Sequence, residues 1–391
     1  MVRKINTTVF ANFFNSKKLG GILLLLCVVI SLFIANSSYA KTFADFLATK
    51  AGFTISIFDL NYTHSVWIND GLMAIFFLLV GLEIKRELME GELSSAQKAT
   101  LPVMAAIGGM MIPAFIYFIF NKNEPTASGW GIPMATDIAF ALAILALLGK
   151  NVPSSLKIFL AALAIADDLG AILVIAIFYT DQIHWVQMLI ACGIFAFLLA
   201  LNYFKVKSLW FYLIPGIFLW YFVHHSGIHA TIAGVLLAFT IPTNDTDELS
   251  PLEKLEHFLT KPVALLIMPI FALANTNITF VEGMVEGLIS PLGLGIIFGL
   301  FMGKTIGITL LSFIAVKMKW AKLPTAANWK HIVGMGMLAG IGFTMSIFIS
   351  MLSFNDALHI IEAKFSILCA SVFSGVVGFF FLKSLSKKKA T

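Results

Sequence analysis

Two adjacent carboxylates, Asp167 and Asp168, stand in Leu163-Ala-Ile-Ala-Asp-Asp-Leu-Gly170 with long apolar runs on either side. A charged side chain at the centre of a bilayer costs roughly 2.5–3.5 kcal/mol on insertion scales, so such residues are functional candidates by default. Helical neighbours point about 100° apart, so the pair can face one cavity from two directions. Carboxylate oxygens accept a proton or a small cation, and that competition is sufficient for exchange. Sodium displaces protons, protons displace sodium, and only occupied states need to cross. If both carboxylates lose a proton per cation, transport moves net charge and responds to voltage.

Asp137 and Lys304 complete the deep ionisable set. Asp137 follows Gly129, Gly131 and Pro133 in the fourth apolar run. Two readings are open for it: binding the cation, or compensating the positive N-terminal ends of interrupted helices. Lys304, in Phe301-Met-Gly-Lys-Thr-Ile-Gly307, lies too deep to snorkel easily. It can neutralise an aspartate or the negative ends of broken helices, and its proton is a candidate participant in coupling.

The elements that must carry these residues are membrane helices. The chain has 391 residues, 59% hydrophobic and 12% charged, with a mean hydropathy of +0.93, whereas soluble domains carry about a quarter charged residues. A spanning helix needs roughly 20 apolar residues, and about twelve such runs are present. They lie near 19–38, 66–84, 99–120, 126–147, 155–178, 185–204, 208–223, 227–241, 262–280, 289–316, 331–353 and 360–382. The first run ends in Ser37-Ser-Tyr-Ala40, which resembles a signal-peptide cleavage region, but in so hydrophobic a chain a retained spanning helix is expected. Of 26 Lys and Arg residues, the expected topology leaves only Lys41, Lys50, Lys122 and Lys364 outside. Lys304 alone lies deep within a span, and the remainder, from Arg3 and Lys4 through Lys150 to Lys388 and Lys389, fall in cytoplasmic loops and tails or at their edges. The positive-inside rule therefore places both termini in the cytoplasm. The net charge of +5 reflects that topology and not a nucleic-acid surface.

The fourth and eleventh spans differ from ordinary membrane helices. In the eleventh, Gly334, Gly336, Gly340 and Gly342 precede Phe343-Thr-Met-Ser346. Glycine and proline weaken a helix, and a cavity can satisfy the freed backbone; close helix packing is the competing explanation for the glycines. The paired placement favours breaking, because matched interruptions in two halves of a transporter point to its substrate site.

Other motifs carry weaker signals. Cys27, Cys192 and Cys369 form no CxxC pair or disulfide framework. His224-His-Ser-Gly-Ile-His229 puts His225 and His229 four apart but lacks a metalloprotease pattern. Glu83, Lys85, Arg86 and Glu87 end the second span, while Glu253, Lys254, Glu256 and His257 precede the ninth. Both groups are expected at the cytoplasmic mouth, either as a solvated face or as a pH-responsive network in which His257 titrates. The connection 242–261, with an acidic start at Asp245, Asp247 and Glu248, reads as a cytoplasmic loop, so the whole of 1–391 is expected to be one transmembrane domain.

Thr136-Asp-Ile-Ala-Phe-Ala-Leu142, Ala164-Ile-Ala-Asp-Asp-Leu-Gly-Ala171 and Gly340-Ile-Gly-Phe-Thr-Met-Ser346 closely resemble the NhaA family of bacterial sodium/proton antiporters. Phe76-Phe-Leu-Leu-Val-Gly-Leu-Glu-Ile-Lys-Arg-Glu87 and Ser226-Gly-Ile-His-Ala-Thr-Ile-Ala-Gly234 match as well. The resemblance implies an all-α membrane fold with inverted repeats and with spans 4 and 11 broken and crossing near the midplane, features for which this family is itself a standard example. It implies electrogenic Na+ (or Li+)/H+ exchange across the inner membrane, with no cofactor and no enzymatic activity. Asp167, Asp168 and Thr136 would form the cation and proton site, with Asp137 and Lys304 balancing charge at the crossing and Lys304 pairing with Asp167. Glu83, Arg86, Glu87, Glu256, His257 and, more loosely, His229 would serve pH regulation. Glu253 and Thr260 depart from the expected basic or His pattern and leave the pH set-point open. The resemblance also implies a homodimer joined through a periplasmic hairpin within 39–65. Phe53-Thr-Ile-Ser-Ile-Phe58 supplies suitable β-formers.

Three other classes fit less well. A symporter of an organic substrate needs more deep polar residues. An intramembrane aspartyl protease places its carboxylates on separate helices with a GxGD motif, and none occurs here. A channel normally builds its filter from oligomeric rings.

Overall fold

A computed structural model describes residues 7–55, 58–149, 152–180, 182–243, 249–280 and 283–387. Arg3, Lys4, Lys150, Lys388 and Lys389 of the charge pattern, the acidic Asp245, Asp247 and Glu248, and Ser56 and Ile57 of the β-forming stretch lie outside the described residues.

The described residues are mostly helical. In order come α1 (Thr7–Ala35), α2 (Ala40–Ala48), the short strands β1 (Lys50–Ala51), β2 (Thr54–Ile55), β3 (Phe58–Asp59) and β4 (Tyr62–Thr63), then α3 (His64–Met89) and α4 (Ala96–Asn121). A 3-10 segment, Pro125–Met134, precedes α5 (Ile138–Leu147), α6 (Ser154–Phe178), α7 (Trp185–Tyr203), α8 (Trp210–His225), α9 (Ile232–Thr240) and α10 (Pro251–Asn275). The last helices are α11 (Pro291–Lys317), α12 (Trp329–Ala339), α13 (Phe343–Ser353) and α14 (Ala357–Lys387).

Among the described residues, seven helices are long and apolar enough to cross a bilayer, and three bent pairs raise the count to ten. The shorter α8 and α9 account for the remaining two of the twelve runs seen in the sequence. The first bent pair, α1 with α2, turns by 109°, so α2 leaves the line of the first span. The other two pairs bend by 43° between Pro125–Met134 and α5 and by 49° between α12 and α13. Breaking, not glycine packing alone, therefore describes spans 4 and 11. The first half of span 4 is a 3-10 helix, consistent with Pro125 at its start and Pro133 within it.

Two boundaries differ from expectation for local reasons. The apolar run 227–241 yields only the nine-residue α9, because residues 226–231 turn, with Gly227 at a φ of +87°. The expected loop 242–261 is largely the start of α10. Ser250 accepts the Glu253 backbone N–H while the Glu253 side chain accepts the Ser250 N–H, and Pro251 occupies the first turn. This capping box launches the helix before the sequence turns apolar.

Two compact units divide the chain. One comprises residues through Ile22, Glu87–Leu173 and Phe280 onward; the other comprises Leu23–Arg86 and Val174–Thr279. In the second, β1 pairs antiparallel with β4 (Lys50 opposite Thr63) and β2 with β3 (Thr54 opposite Asp59). Helix α7 exposes Val186 and Leu189 and buries little beyond Ala191 and Leu198. Such an apolar exposed face suits lipid.

In the first unit, α4 and α11 touch backbone to backbone. A Cβ on Gly108 would come within 2.1 Å of the Gly307 carbonyl oxygen, and one on Gly307 within 2.0 Å of the Gly108 oxygen. Small residues permit such an approach, and here it seats Lys304 one turn from the crossing. Gly307→Val is expected to destabilise the protein by about 1–3 kcal/mol through overpacking. Thermal unfolding in detergent checks this; an unchanged midpoint would show that the helices separate without cost.

Candidate ion site at the broken helices

The two breaks are bound to each other reciprocally. The Thr136 hydroxyl donates to the Ala339 carbonyl at 2.9 Å, and the Ser346 hydroxyl donates to the Ile132 carbonyl at 2.7 Å. Each interrupted span thus satisfies a carbonyl of the other. The Asp137 backbone N–H also donates to the Ile341 carbonyl at 2.7 Å. These bonds close accounts that a broken helix leaves open in a medium without water.

Asp137 sits where the two helix N-termini converge. One carboxylate oxygen caps α5 by accepting the Phe140 N–H at 3.0 Å. The other accepts the Thr344 backbone N–H at 3.1 Å and the Thr344 hydroxyl, both from the first turn of α13. A single negative charge therefore meets two positive helix ends. Each oxygen of this carboxylate thus accepts from the first turn of a different helix, an arrangement suited to compensating helix-end charge.

Asp167 and Asp168 lie midway along α6 and are both buried. The Lys304 ammonium donates to Asp167 Oδ2 at 2.5 Å, and Lys304 itself is 0% exposed. A π turn, Gly299–Gly303, immediately precedes Lys304; such turns concentrate at functional sites. Thr136 lies beside the Asp167 carboxylate, and Asp168 is close enough to Lys304 to attract its ammonium. Thr136, Asp137, Asp167, Asp168 and Lys304 all belong to the first unit.

The residues expected to regulate pH response separate into different places. In the second unit, Arg86 Nε stands 2.9 Å from Glu256 Oε2, with Glu256 buried. Glu83 is buried, His257 is exposed, and the Thr260 hydroxyl bonds back to the Glu256 carbonyl. Glu87, in the first unit, accepts the Glu92 N–H. His229 lies toward the opposite end of α3, where its Nδ1 is 3.7 Å from Asp70 Oδ1 and His224 Nδ1 is 3.8 Å from Asp70 Oδ2. His225 faces elsewhere: its Nδ1 contacts the Tyr221 carbonyl and its Nε2 the Tyr62 hydroxyl at 3.3 Å. Burial pushes the Tyr62 hydroxyl up to about 12, so it remains protonated across the physiological range.

Several residues escape a reading by charge and hydropathy. Thr344 and Ser346 look like ordinary small polar residues, although their place just after a glycine run is the signature of a helix start. Asp70 lies near the end of its apolar run and passes for interfacial. Lys85 reaches the Phe239 and Ile241 carbonyls at 2.7 and 2.6 Å, closing the C-terminal end of α9.

Interlocked broken helices beside a buried carboxylate–ammonium pair define an ion-coupled membrane transporter. The family model for Na+/H+ antiporter 1 matches residues 11–382. Na(+)/H(+) antiporter NhaA 2 of Flavobacterium johnsoniae is 59% identical over 390 residues, covering 100% of this chain and 96% of that protein. Na(+)/H(+) antiporter NhaA of Dechloromonas aromatica is 54% identical over 378 residues, covering 95% of each. The solved structure of the sodium proton antiporter MjNhaP1 from Methanocaldococcus jannaschii at pH 8 shares the fold. It has a TM-score of 0.55 at 13% identity, over 97% of this chain and 99% of that one. The chain belongs to the Na+/H+ antiporter 1 family.

Proposed function

We propose that this sodium/proton antiporter works by competition of Na+ (or Li+) and protons for Asp167 and Asp168, with Thr136 as a further oxygen ligand and alternating access to the two sides. The observation that carries this reading is the Lys304–Asp167 pair at 2.5 Å, buried with Asp168 one residue away. A cation entering the carboxylates competes with the Lys304 ammonium for Asp167. Asp168 gives up one proton on cation binding, and a second leaves from the Asp167–Lys304 pair. Two protons against one cation make the cycle electrogenic. Asp137 keeps the two helix ends neutral throughout, so the site's affinity responds to the ions and not to uncompensated dipoles.

The test is exchange in proteoliposomes under a set potential. An imposed Na+ or Li+ gradient is expected to drive proton flux that accelerates or slows with the sign of a potassium–valinomycin potential. Voltage-independent flux would require one proton per cation, and an organic solute needed for flux would restore the symporter reading.

The same reading places the chain in the bacterial inner membrane with both termini cytoplasmic, as lysine topology favours, and treats its two units as one transporter domain. It extends to a homodimer. The β1–β4 and β2–β3 ladders have two strands each, leaving backbone edges able to pair with a second copy. No cofactor or enzymatic step enters the cycle.

Regulation by pH is assigned to Glu83, Arg86, Glu87, Glu256 and His257, with His229 acting at its separate location. Arg86→Gln removes one cation from beside the buried Glu256, which favours a protonated Glu256 to higher pH. The expected result is a displaced activity–pH profile with maximal flux retained. A profile superimposable on wild type, measured from pH 6 to 9, would remove the pair from regulation.

A further inference from the structure

A cavity of about 280 Å³, lined by neither aspartate of the pair, opens in the first unit between the start of α4, the second turn of α6 and the chain leaving α11. Its rim carries Lys98, Lys319 and Lys322 against one carboxylate, Glu92, with Gln97 beside them and Trp320 at the edge. Its wall is apolar, formed by Leu101, Ile158 and Phe159. Basic rim, aromatic edge and apolar wall match the layering of a bilayer surface, where phosphates lie above acyl chains.

The cavity is held open by specific contacts. The Ser155 hydroxyl donates to the Thr325 carbonyl at 2.5 Å, tying α6 to the segment after α11. The Glu92 N–H donates to the Glu87 carboxylate at 2.9 Å, fixing the turn ahead of α4. Lys319 has a φ of +61°, at the place after a helix where glycine is the default. That turn is closed by Trp320 and Ala321 N–H groups donating to the Ala315 carbonyl. A lysine at a position suited to glycine aims a charge into the rim at a conformational cost. The first turn of the 26-residue α4 also lines the cavity, and Ser95 gives it no side-chain cap, so its positive end adds to the lysines.

We infer that this cavity binds the headgroup of an anionic phospholipid of the phosphatidylglycerol type. Lys98, Lys319 and Lys322 would hold the phosphodiester, and Glu92 and Gln97 would accept the headgroup hydroxyls. The net positive rim selects an anionic lipid over a zwitterionic one, and the apolar wall selects a lipid over a soluble anion. The cavity lining includes none of Thr136, Asp137, Asp167, Asp168 and Lys304, and the inference does not depend on how exchange is coupled.

Native mass spectrometry of the full chain in detergent, titrated with phosphatidylglycerol, phosphatidylcholine or glycerol phosphate, tests it. Phosphatidylglycerol is expected to bind in preference to phosphatidylcholine. Lys98→Gln/Lys319→Gln/Lys322→Gln together should weaken it on the order of a hundredfold, while Lys41→Gln leaves binding unchanged. An undiminished preference in the triple variant overturns the site. Displacement of the lipid by equimolar glycerol phosphate overturns the lipid assignment. Should the triple variant fail to fold, a photoactivatable phosphatidylglycerol on wild type decides the matter. Cross-links within 92–102 and 319–324 support the site, and cross-links elsewhere refute it.

Discussion

Asp168→Asn is expected to reduce cation-dependent proton flux in proteoliposomes to the background of empty vesicles, with the protein still folded. Asparagine keeps the shape and one acceptor oxygen of the carboxylate but carries no charge and takes up no proton, so it neither stabilises a desolvated Na+ nor exchanges one for H+. Lys304 and Asp167 keep their own bond, so the packing of α6 against α11 is retained. That separation makes the experiment informative, because flux should vanish while the thermal midpoint moves little. Flux that survives with altered apparent affinity would move the primary site to Asp167, and flux indistinguishable from wild type would remove the aspartate pair from the mechanism.

Lys304→Met should have the largest effect on stability. Removing one partner of a buried ion pair typically costs about 3–5 kcal/mol, because the other charge is left in a low-dielectric interior. The decisive variant is the double one, Lys304→Met with Asp167→Asn. With no charge left to strand, most of the lost stability should return, since replacing both members of a buried pair is often close to neutral. Thermal unfolding of all four proteins forms a double-mutant cycle. Strict additivity would mean that the 2.5 Å contact carries no coupling energy. The cycle also bears on coupling: exchange at wild-type charge per turnover in the double variant would show that neither Lys304 nor Asp167 carries a transported proton.

Part of this protein is legible residue by residue. The apolar runs give the spans because a bilayer demands about 20 apolar residues from every helix that crosses it, and adjacent acids in such a run stand out by their cost. Boundaries proved harder where local chemistry overrides hydropathy. The Ser250–Glu253 capping box starts α10 within an apparently polar loop, and the turn at Gly227 shortens α9. Asp70 does not stand out in the sequence, because an acid near a helix end costs little in transfer energy. Its significance comes from His224 and His229, more than 150 positions away in the chain.

The sequence by itself determined the membrane-spanning helical class, the identity of the deep charges and the places where spans 4 and 11 break. These are one-dimensional quantities, set by the transfer cost of each residue and by backbone rules for glycine and proline. Only the tertiary structure decided which charge meets which. It gives Lys304 to Asp167, gives Asp137 to the paired ends of α5 and α13, and sends Thr136 and Ser346 across to the opposite span. It also moves His229 away from Arg86 and Glu256. The reason is that electrostatic and hydrogen-bond partnership depends on separations of a few ångströms between helices far apart in the chain, and spacing along the sequence carries no such information.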